Sequence, residues 1–325
     1  MTRFWFALSA TVLLNANFWI CDGINGVVDG RSTTRTIKRI KTNNAAEVIV
    51  VSNFLPAVIA EAWRDKLLAK WEDMERGDPN PLLSHFLYAT NEQNTKIRSL
   101  NNINERRSNA WRKRLSGQFA YGKWELNPTD SLFSEISEYM LLNETTTYIA
   151  DTLGLNPNTE QLSAQELSDL FVTHFTVGDF LSSHSDYYSG TFAFVVSLTA
   201  GVTEGEWSQE GYGGGLALLC ADDDSKQEAA FPDICHHIEP AFNQLVLFRT
   251  RPGPLHSVEA VTAEGYARGF RRLAFTGWYM GVSDTFSEQE LKERNAMRGR
   301  TKTHTPPFGK KNNKRRRINR NRLEL

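Results

Sequence analysis

His184 and Asp186 stand two residues apart in the stretch GDFLSSHSD, Gly178 to Asp186. On a β-strand, residues i and i+2 point to the same face, so an imidazole and a carboxylate project side by side. A third ligand from a neighbouring strand, for which His256 far downstream is the candidate, completes a set of two histidines and one carboxylate. Such a set grips Fe(II) by one face and leaves the opposite positions open for a co-substrate and O2. A His-x-Asp pair alone is common by chance, so the reading depends on what surrounds it.

The elements that must position these residues begin at about residue 169. Short β-runs separated by turn residues follow one another: DLFVTHFT, TFAFVVSLT, GGLALLC, NQLVLFRT, HSVEAV and RRLAFTGWY. Regular strands between Gly- and Pro-rich turns predict a sandwich or barrel. His184 and Asp186 are expected at the end of the first strand of this run, and His256 after the turn TRPGP. In the last strand Arg272, Ala274, Thr276 and Trp278 share one face, and Arg271, Leu273 and Phe275 the other. An arginine on an interior face is costly unless it is paired. Its planar guanidinium suits a carboxylate gripped by two parallel bonds.

The first half supplies supports. EVIVVSNF, Glu47 to Phe54, reads as a strand. Pro56 opens a helix running to about Arg76, with Ile59, Trp63, Leu67, Trp71 and Met74 at helical spacing. QFAYGKWEL predicts a strand, and Ser131 to Leu142 and Thr145 to Leu153 predict helices, the second closed by Gly154. The fold class expected is α+β, mainly β. Residues 78–118, polar and rich in Asn and Arg, read as an excursion; their basic cluster Arg106, Arg107, Arg112, Lys113 and Arg114 reads as a solvated helix face.

The ends carry addresses rather than chemistry. Met1 to Ile20 is a short positive start followed by an apolar run, which reads with residues 21–23 as a secretory signal peptide, with an uncleaved anchor as the second reading. Residues 24–46 read as a linker, 47–285 as the folded domain and 286–325 as a basic, disordered tail. The chain has a net charge of -1, yet residues 291–325 hold 13 Lys/Arg against Glu293 and Glu324. An acidic body therefore carries a basic tail. That tail suits anionic surfaces or a nuclear address; specific nucleic-acid binding is not expected. The terminal RLEL is similar to an endoplasmic-reticulum retention signal, so the lumen of that compartment is the location expected and the nucleus the alternative. There are three cysteines and no CxxC; Cys220 and Cys235 are candidates for a single disulfide across a hairpin.

These motifs together resemble the 2-oxoglutarate- and Fe(II)-dependent dioxygenases of the prolyl hydroxylase type. GDFLSSHSD is similar to that family's iron-ligand strand, and SLTAGVTEGEWSQEGYGGGLALL to its Leu-Thr…Trp…Gly-Gly segment. IEPAFNQLVLFRT with HSVEAV resembles its Pro-x-x-Asn…Phe…His-x-Val-x-x-Val segment, and RLAFTGWY its Arg-x-x-x-x-Gly-Trp close. The motifs occur in family order over about residues 170–280.

The resemblance implies a double-stranded β-helix, or jelly-roll, core with supporting N-terminal helices. It implies iron on His184, Asp186 and His256, 2-oxoglutarate with its distal carboxylate on Arg272, O2 as oxidant and ascorbate as a helper. It further implies a protein or peptide substrate, hydroxylated with release of succinate and CO2, peptidyl-proline first among the candidates. Other side chains, small molecules and a catalytically silent β-helix binding protein are the alternatives. Two positions depart from the pattern. A tyrosine frequent in the family is Phe175 here, and a serine frequent two residues after the arginine is Ala274, with Thr276 on the same face as its substitute.

The remaining candidates read as structural. His174 precedes the site and is expected to be a packing residue. His236 and His237 are adjacent and so face opposite sides of a strand. Tyr187, Tyr188 and Trp207 suit the rim or the core equally, and Asp222 to Asp224 read as a solvated loop.

Overall fold

The computed structural model describes residues 34–42, 46–75, 83–89, 120–158, 160–187, 189–201, 207, 211–219, 234–251 and 253–281, with a two-stranded ribbon of β1 (Val27–Val28) and β2 (Arg31–Ser32) before them. The signal or anchor segment, the basic cluster at 106–114, Tyr188, Cys220, the acidic loop at 222–224 and the basic tail lie outside the described residues.

The β-rich composition of the second half gives one long antiparallel sheet that curls over itself. Its strands are β3 (Thr36–Lys41), β4 (Glu47–Ser52), β5 (Leu83–Ala89), β6 (Ala120–Leu126), β7 (Leu162–Phe175), β8 (Phe180–His184), β9 (Phe192–Ser197), β10 (Leu216–Leu219), β11 (Ile234–Ile238), β12 (Gln244–Arg249), β13 (His256–Val258) and β14 (Arg272–Gly281). The order across the sheet is β11-β10-β13-β8-β6-β7-β14-β9-β12-β4-β3, and β5 pairs with β6 at the side. This curled half-barrel is the jelly-roll core expected. β6 makes the fold-over, pairing with β8 through Tyr121↔Leu181 and with β7 through Trp124↔His174.

Alternation along the strands divides the apolar residues into two cores. Ile49, Val51, Phe192, Phe194, Val196, Leu245, Leu247, Leu273, Phe275 and Tyr279 face one way. They pack against α1 (Ala57–Glu75), α2 (Ser131–Met140) and α3 (Asn143–Leu153), which bring Trp63, Leu67, Ile136, Met140 and Ile149. The helices thus seal one face, as their apolar stripes predict. Val48, Val50, Ala193, Val246, Phe248, Phe175 and Trp278 face the other way and meet Leu216, Leu218 and Val258 of the shorter strands. The candidate site lies in this second core, among the inner faces of the sheet.

Specific polar contacts lock the layers. Asp130 caps α2, its carboxylate accepting from the Leu132 amide. The Tyr279 hydroxyl donates to the Met140 carbonyl at 2.6 Å, tying β14 to the end of α2. Asn243, at φ 57, accepts from Leu55 N and donates to Leu55 O, both at 2.8 Å. A short amide side chain tolerates this left-handed conformation and pairs a backbone segment that has no ladder of its own.

Several sequence expectations need correction. Residues 24–46 do not form a linker throughout, because Thr36–Lys41 is an outer strand paired along its length with Glu47–Ser52. Its charged, exposed residues gave no apolar alternation, as is usual for an edge. Within the polar excursion, Leu83–Ala89 is a strand on β6. The hairpin expected across the acidic loop is present, since β11, Ile234–Ile238, pairs with β10, and Cys235 on it is disulfide-bonded. Both cysteines with which it could pair, Cys21 and Cys220, lie outside the described residues.

Candidate metal centre

His184 and His256 meet through the ladder. They are directly opposed residues of the antiparallel pair β8–β13, and their ring centroids are 4.2 Å apart. Opposed residues on one face bring their side chains together without help from any loop. Each ring is turned by its own backbone. His184 Nδ1 lies 2.9 Å from the Ser182 carbonyl and His256 Nδ1 lies 3.0 Å from the Pro254 carbonyl. A carbonyl only accepts, so each Nδ1 carries the proton and each Nε2 presents a lone pair.

Asp186 reaches the same point by another route. The strand expected to run from β7 into the ligands is broken at Gly178 (φ 75), where the chain turns and β8 begins. Asp186 then lies two residues beyond the end of β8, so no ladder holds it. Its Oδ1 is 3.4 Å from His184 Nε2 and its Oδ2 3.7 Å from His256 Nε2. One ligand atom from each of the three residues lies within 4.8 Å of the others. Donors about 2.1 Å from one ion and at right angles stand about 3 Å apart, so a small inward shift closes the set on a metal.

The protonation states fit as well. Burial pushes the Asp186 carboxyl up, but the neighbouring His256, His184 and Trp278 together outweigh it and hold it at about 2. Burial, reinforced by His184 and opposed by Asp186, lowers His256 to about 4. At neutral pH the pocket therefore offers a carboxylate and a neutral imidazole, the forms that ligate metals.

Arg272 is on the same side of the sheet. It is 4% exposed, at the start of β14 and opposite Phe175, and burial alone lowers it to about 9. No carboxylate among the described residues pairs with it. Its guanidinium lies over the Phe175 ring, 4.2 Å from the centroid, and its Nε donates to the Gly214 carbonyl. Gly214 must lack a side chain, since a Cβ there would come within 2.8 Å of Arg272 Cδ. Phe175 thus supplies a stacking surface where the family's frequent tyrosine would add a hydroxyl. Thr276 is half-exposed on the same face, opposite Phe171 and Val195.

Three features went unread in the sequence. Trp278, six residues after Arg272 on the same face, donates its indole N–H to Asp186 Oδ2 at 3.1 Å; the alternation of β14 was the signal for it. Ser197 is the ladder partner of Ala274, and its hydroxyl pairs with Thr199 at 2.8 Å. A serine on β9 therefore stands beside the position where the serine of β14 is missing. Lys123 and Glu125 form a mostly buried pair at 2.7 Å, with the ammonium 4.1 Å from the Phe171 centroid.

Among the described residues, His174, His236 and His237 are not brought to the site. His174 points to the helix side, edge-on to Trp71 at 4.2 Å. Both its ring nitrogens are buried without a hydrogen bond, and burial lowers it to about 3. His236 and His237 lie on β11, with His237 3.4 Å from Glu259. Arg251 donates to the Tyr187 carbonyl at 3.1 Å, and Trp207 donates to the Gly213 carbonyl.

Comparison with known proteins agrees with this geometry. Residues 170–280 match the family described as 2OG-Fe(II) oxygenase superfamily. Over 127 residues the chain is 29% identical to "Prolyl 3-hydroxylase OGFOD1" of Xenopus laevis, a match covering 39% of this chain and 22% of that protein. The chain thus spans about a fifth of the length of that curated relative. Among solved structures, a Pseudomonas putida prolyl-4-hydroxylase is 17% identical, covering 72% of this chain and 91% of that one with a TM-score of 0.37. A Trichoplax adhaerens prolyl hydroxylase, solved with a hypoxia inducible factor peptide fragment, is 15% identical, covering 77% and 86% with a TM-score of 0.41. Residues 170–280 are thus similar to the 2OG-Fe(II) oxygenase superfamily, and the converging set of His184, Asp186 and His256 lies within that span.

Proposed function

We propose that the chain is a Fe(II)- and 2-oxoglutarate-dependent dioxygenase that hydroxylates a proline in a protein or peptide, with ascorbate sustaining turnover. The observation that carries this reading is the convergence of His184, Asp186 and His256 on one point, with Asp186 held as a carboxylate and His256 as a neutral imidazole. Fe(II), once bound, supplies the oxidative chemistry: O2 and 2-oxoglutarate are consumed, one oxygen atom enters a substrate C–H bond as hydroxyl, and the other leaves in succinate alongside CO2. The chain's own residues bind and orient. The two imidazoles and the carboxylate hold the metal by one face. Arg272, buried and without a carboxylate partner among the described residues, grips the distal carboxylate of 2-oxoglutarate. The Phe175 ring packs against that guanidinium, and Thr276, further along the same face of β14, is the hydroxyl proposed in place of the family's serine. The surrounding apolar residues exclude water from the reacting groups.

Peptidyl-proline as substrate is supported by the relatives whose names specify it. The test is succinate release from 2-oxoglutarate with Fe(II) and ascorbate, combined with mass spectrometry of candidate peptides for the gain of one oxygen atom. Oxygen on proline is the expected result. Oxygen on another side chain would overturn the substrate, and absence of succinate in every condition would overturn the enzyme. For location we propose the secretory pathway, where the disulfide at Cys235 is at home. Sequencing the amino terminus of microsomal protein tests this; an intact Met1 on soluble nuclear protein would reverse it.

A further inference from the structure

Asp186 is the ligand that the ladder does not hold, and its loop shows what holds it instead. The Ser189 amide donates to the Asp186 carbonyl at 2.8 Å. Ser168 Oγ donates to the Ser189 carbonyl and Thr250 Oγ1 to the Gly190 carbonyl. Thr191 N donates to the Tyr279 carbonyl, and Gly281 N donates to Thr191 Oγ1. These bonds fix the backbone of the loop but leave the carboxylate free to rotate about its own side-chain bonds. Outside the two histidine ligands, the described residue that fixes the plane of that carboxylate is Trp278, itself 7% exposed, through its indole N–H.

We propose that Trp278 is a positioning residue that keeps Asp186 presenting a single oxygen to the metal, and that Gly190 lets the Asp186 loop approach β14 closely enough for the indole to reach it. This rests on the metal reading given above. An indole has one donor and no acceptor, so it occupies one carboxylate oxygen, Oδ2, and leaves Oδ1 to ligate. A carboxylate that bound through both oxygens would fill a further coordination position, one of those a co-substrate and O2 require. The indole is held edge-on to Phe171 with centroids 5.8 Å apart. It is also held against the Asp186 loop so closely that a Cβ at Gly190 would lie 2.5 Å from Trp278 Cβ and 3.0 Å from the Tyr279 carbonyl. Gly190 and Asp186 are on the same loop, so the approach that forbids a side chain at 190 is the approach that brings the indole to the carboxylate.

The probe is Co(II), whose visible spectrum reports coordination, titrated into the full chain and its Trp278→Phe, Trp278→His and Gly190→Ala variants. Loss of the outer hydrogen bond to a metal ligand weakens metal binding by about tenfold to a hundredfold. Trp278→Phe is expected to show that loss and an altered Co(II) spectrum. Trp278→His, which keeps a ring N–H, recovers part of both, and Gly190→Ala resembles Trp278→Phe. Saturable Co(II) binding in the parent chain with the same affinity and spectrum in Trp278→Phe would overturn the positioning role. Absence of Co(II) binding in the parent chain would instead overturn the metal reading beneath it, so the two failures are distinct. If Trp278→Phe does not fold, nitrogen-15 labelling of tryptophan decides the matter in the intact chain. The Trp278 indole N–H resonance should shift and exchange faster in Asp186→Ala; an unmoved resonance rules the bond out.

Discussion

Strand β14 separates two kinds of surface residue by residue. Leu273, Phe275 and Tyr279 point into the helix-sealed core and carry out no chemistry. Arg272, Thr276 and Trp278 lie on the opposite face, where Trp278 donates to Asp186 and where Arg272 and Thr276 are the residues proposed for the co-substrate. The two sets are interleaved on one backbone, so they share every main-chain error and differ only in what their side chains meet. That arrangement teaches where rigidity comes from. The helix side is packed with rings, Trp63 lying edge-on to Phe275 at 5.6 Å, and it holds the strand still. The opposite face then carries a buried cation, Arg272, and the converging His-Asp-His set.

The comparison breaks most sharply at the ligands. His184→Ala or Asp186→Ala should abolish metal-dependent succinate release while leaving the thermal transition of the metal-free protein nearly intact. Succinate release unchanged in both would remove the site assignment. On the opposite face, Phe275→Ala should cost about 3–5 kcal/mol in chemical denaturation, the usual penalty for emptying a well-packed core. A loss below about 1 kcal/mol would mean that the helix side is not the rigid one. Arg272→Ala separates co-substrate from metal. It should raise the 2-oxoglutarate concentration needed for half-maximal activity at least tenfold, while Co(II) affinity changes little. Equal loss of both would make Arg272 a structural residue.

The smallest effect sharpens the comparison through pH. His174 lies on the sealed face with its folded value lowered to about 3, against 6.5 for an ordinary histidine. Between those values the unfolded chain binds a proton that the folded chain refuses. The contribution is therefore fully present above about 6.5 and is lost as pH falls toward about 3, at up to about 1.4 kcal/mol per pH unit. His174→Phe should flatten that part of the urea-midpoint profile without loss of metal binding. A profile of unchanged slope would show that His174 is solvated. The two face sets also predict independence: a double variant, Phe275→Ala with Arg272→Ala, should show additive stability losses, because the side chains do not touch.

Much of this was legible in sequence because it is local. The alternation of RRLAFTGWY assigned Arg272 and Trp278 to one face before any contact was known. Helical spacing of Trp63, Leu67 and Trp71 announced the sealing helix, and all three are buried there. The edge strand Thr36–Lys41 was missed for a local reason too: TIKRIK, with one buried residue, has no periodic apolar signal. The structure brings His184, Asp186 and His256 together, by a different route from the one expected. The i, i+2 argument put His184 and Asp186 on one strand face, whereas the strand ends between them.

What the sequence by itself determined is the set of chemical groups and their order, since residue type and spacing are written in the chain. Only the tertiary structure decided how they meet. The pairing of His184 with His256 joins residues 72 positions apart through a register that no local pattern encodes. The indole bond to Asp186 spans 92 positions and depends on the close approach at Gly190. Such contacts arise when the sheet curls and its faces close, and their energies come from partners that are distant in sequence and adjacent only in the folded molecule.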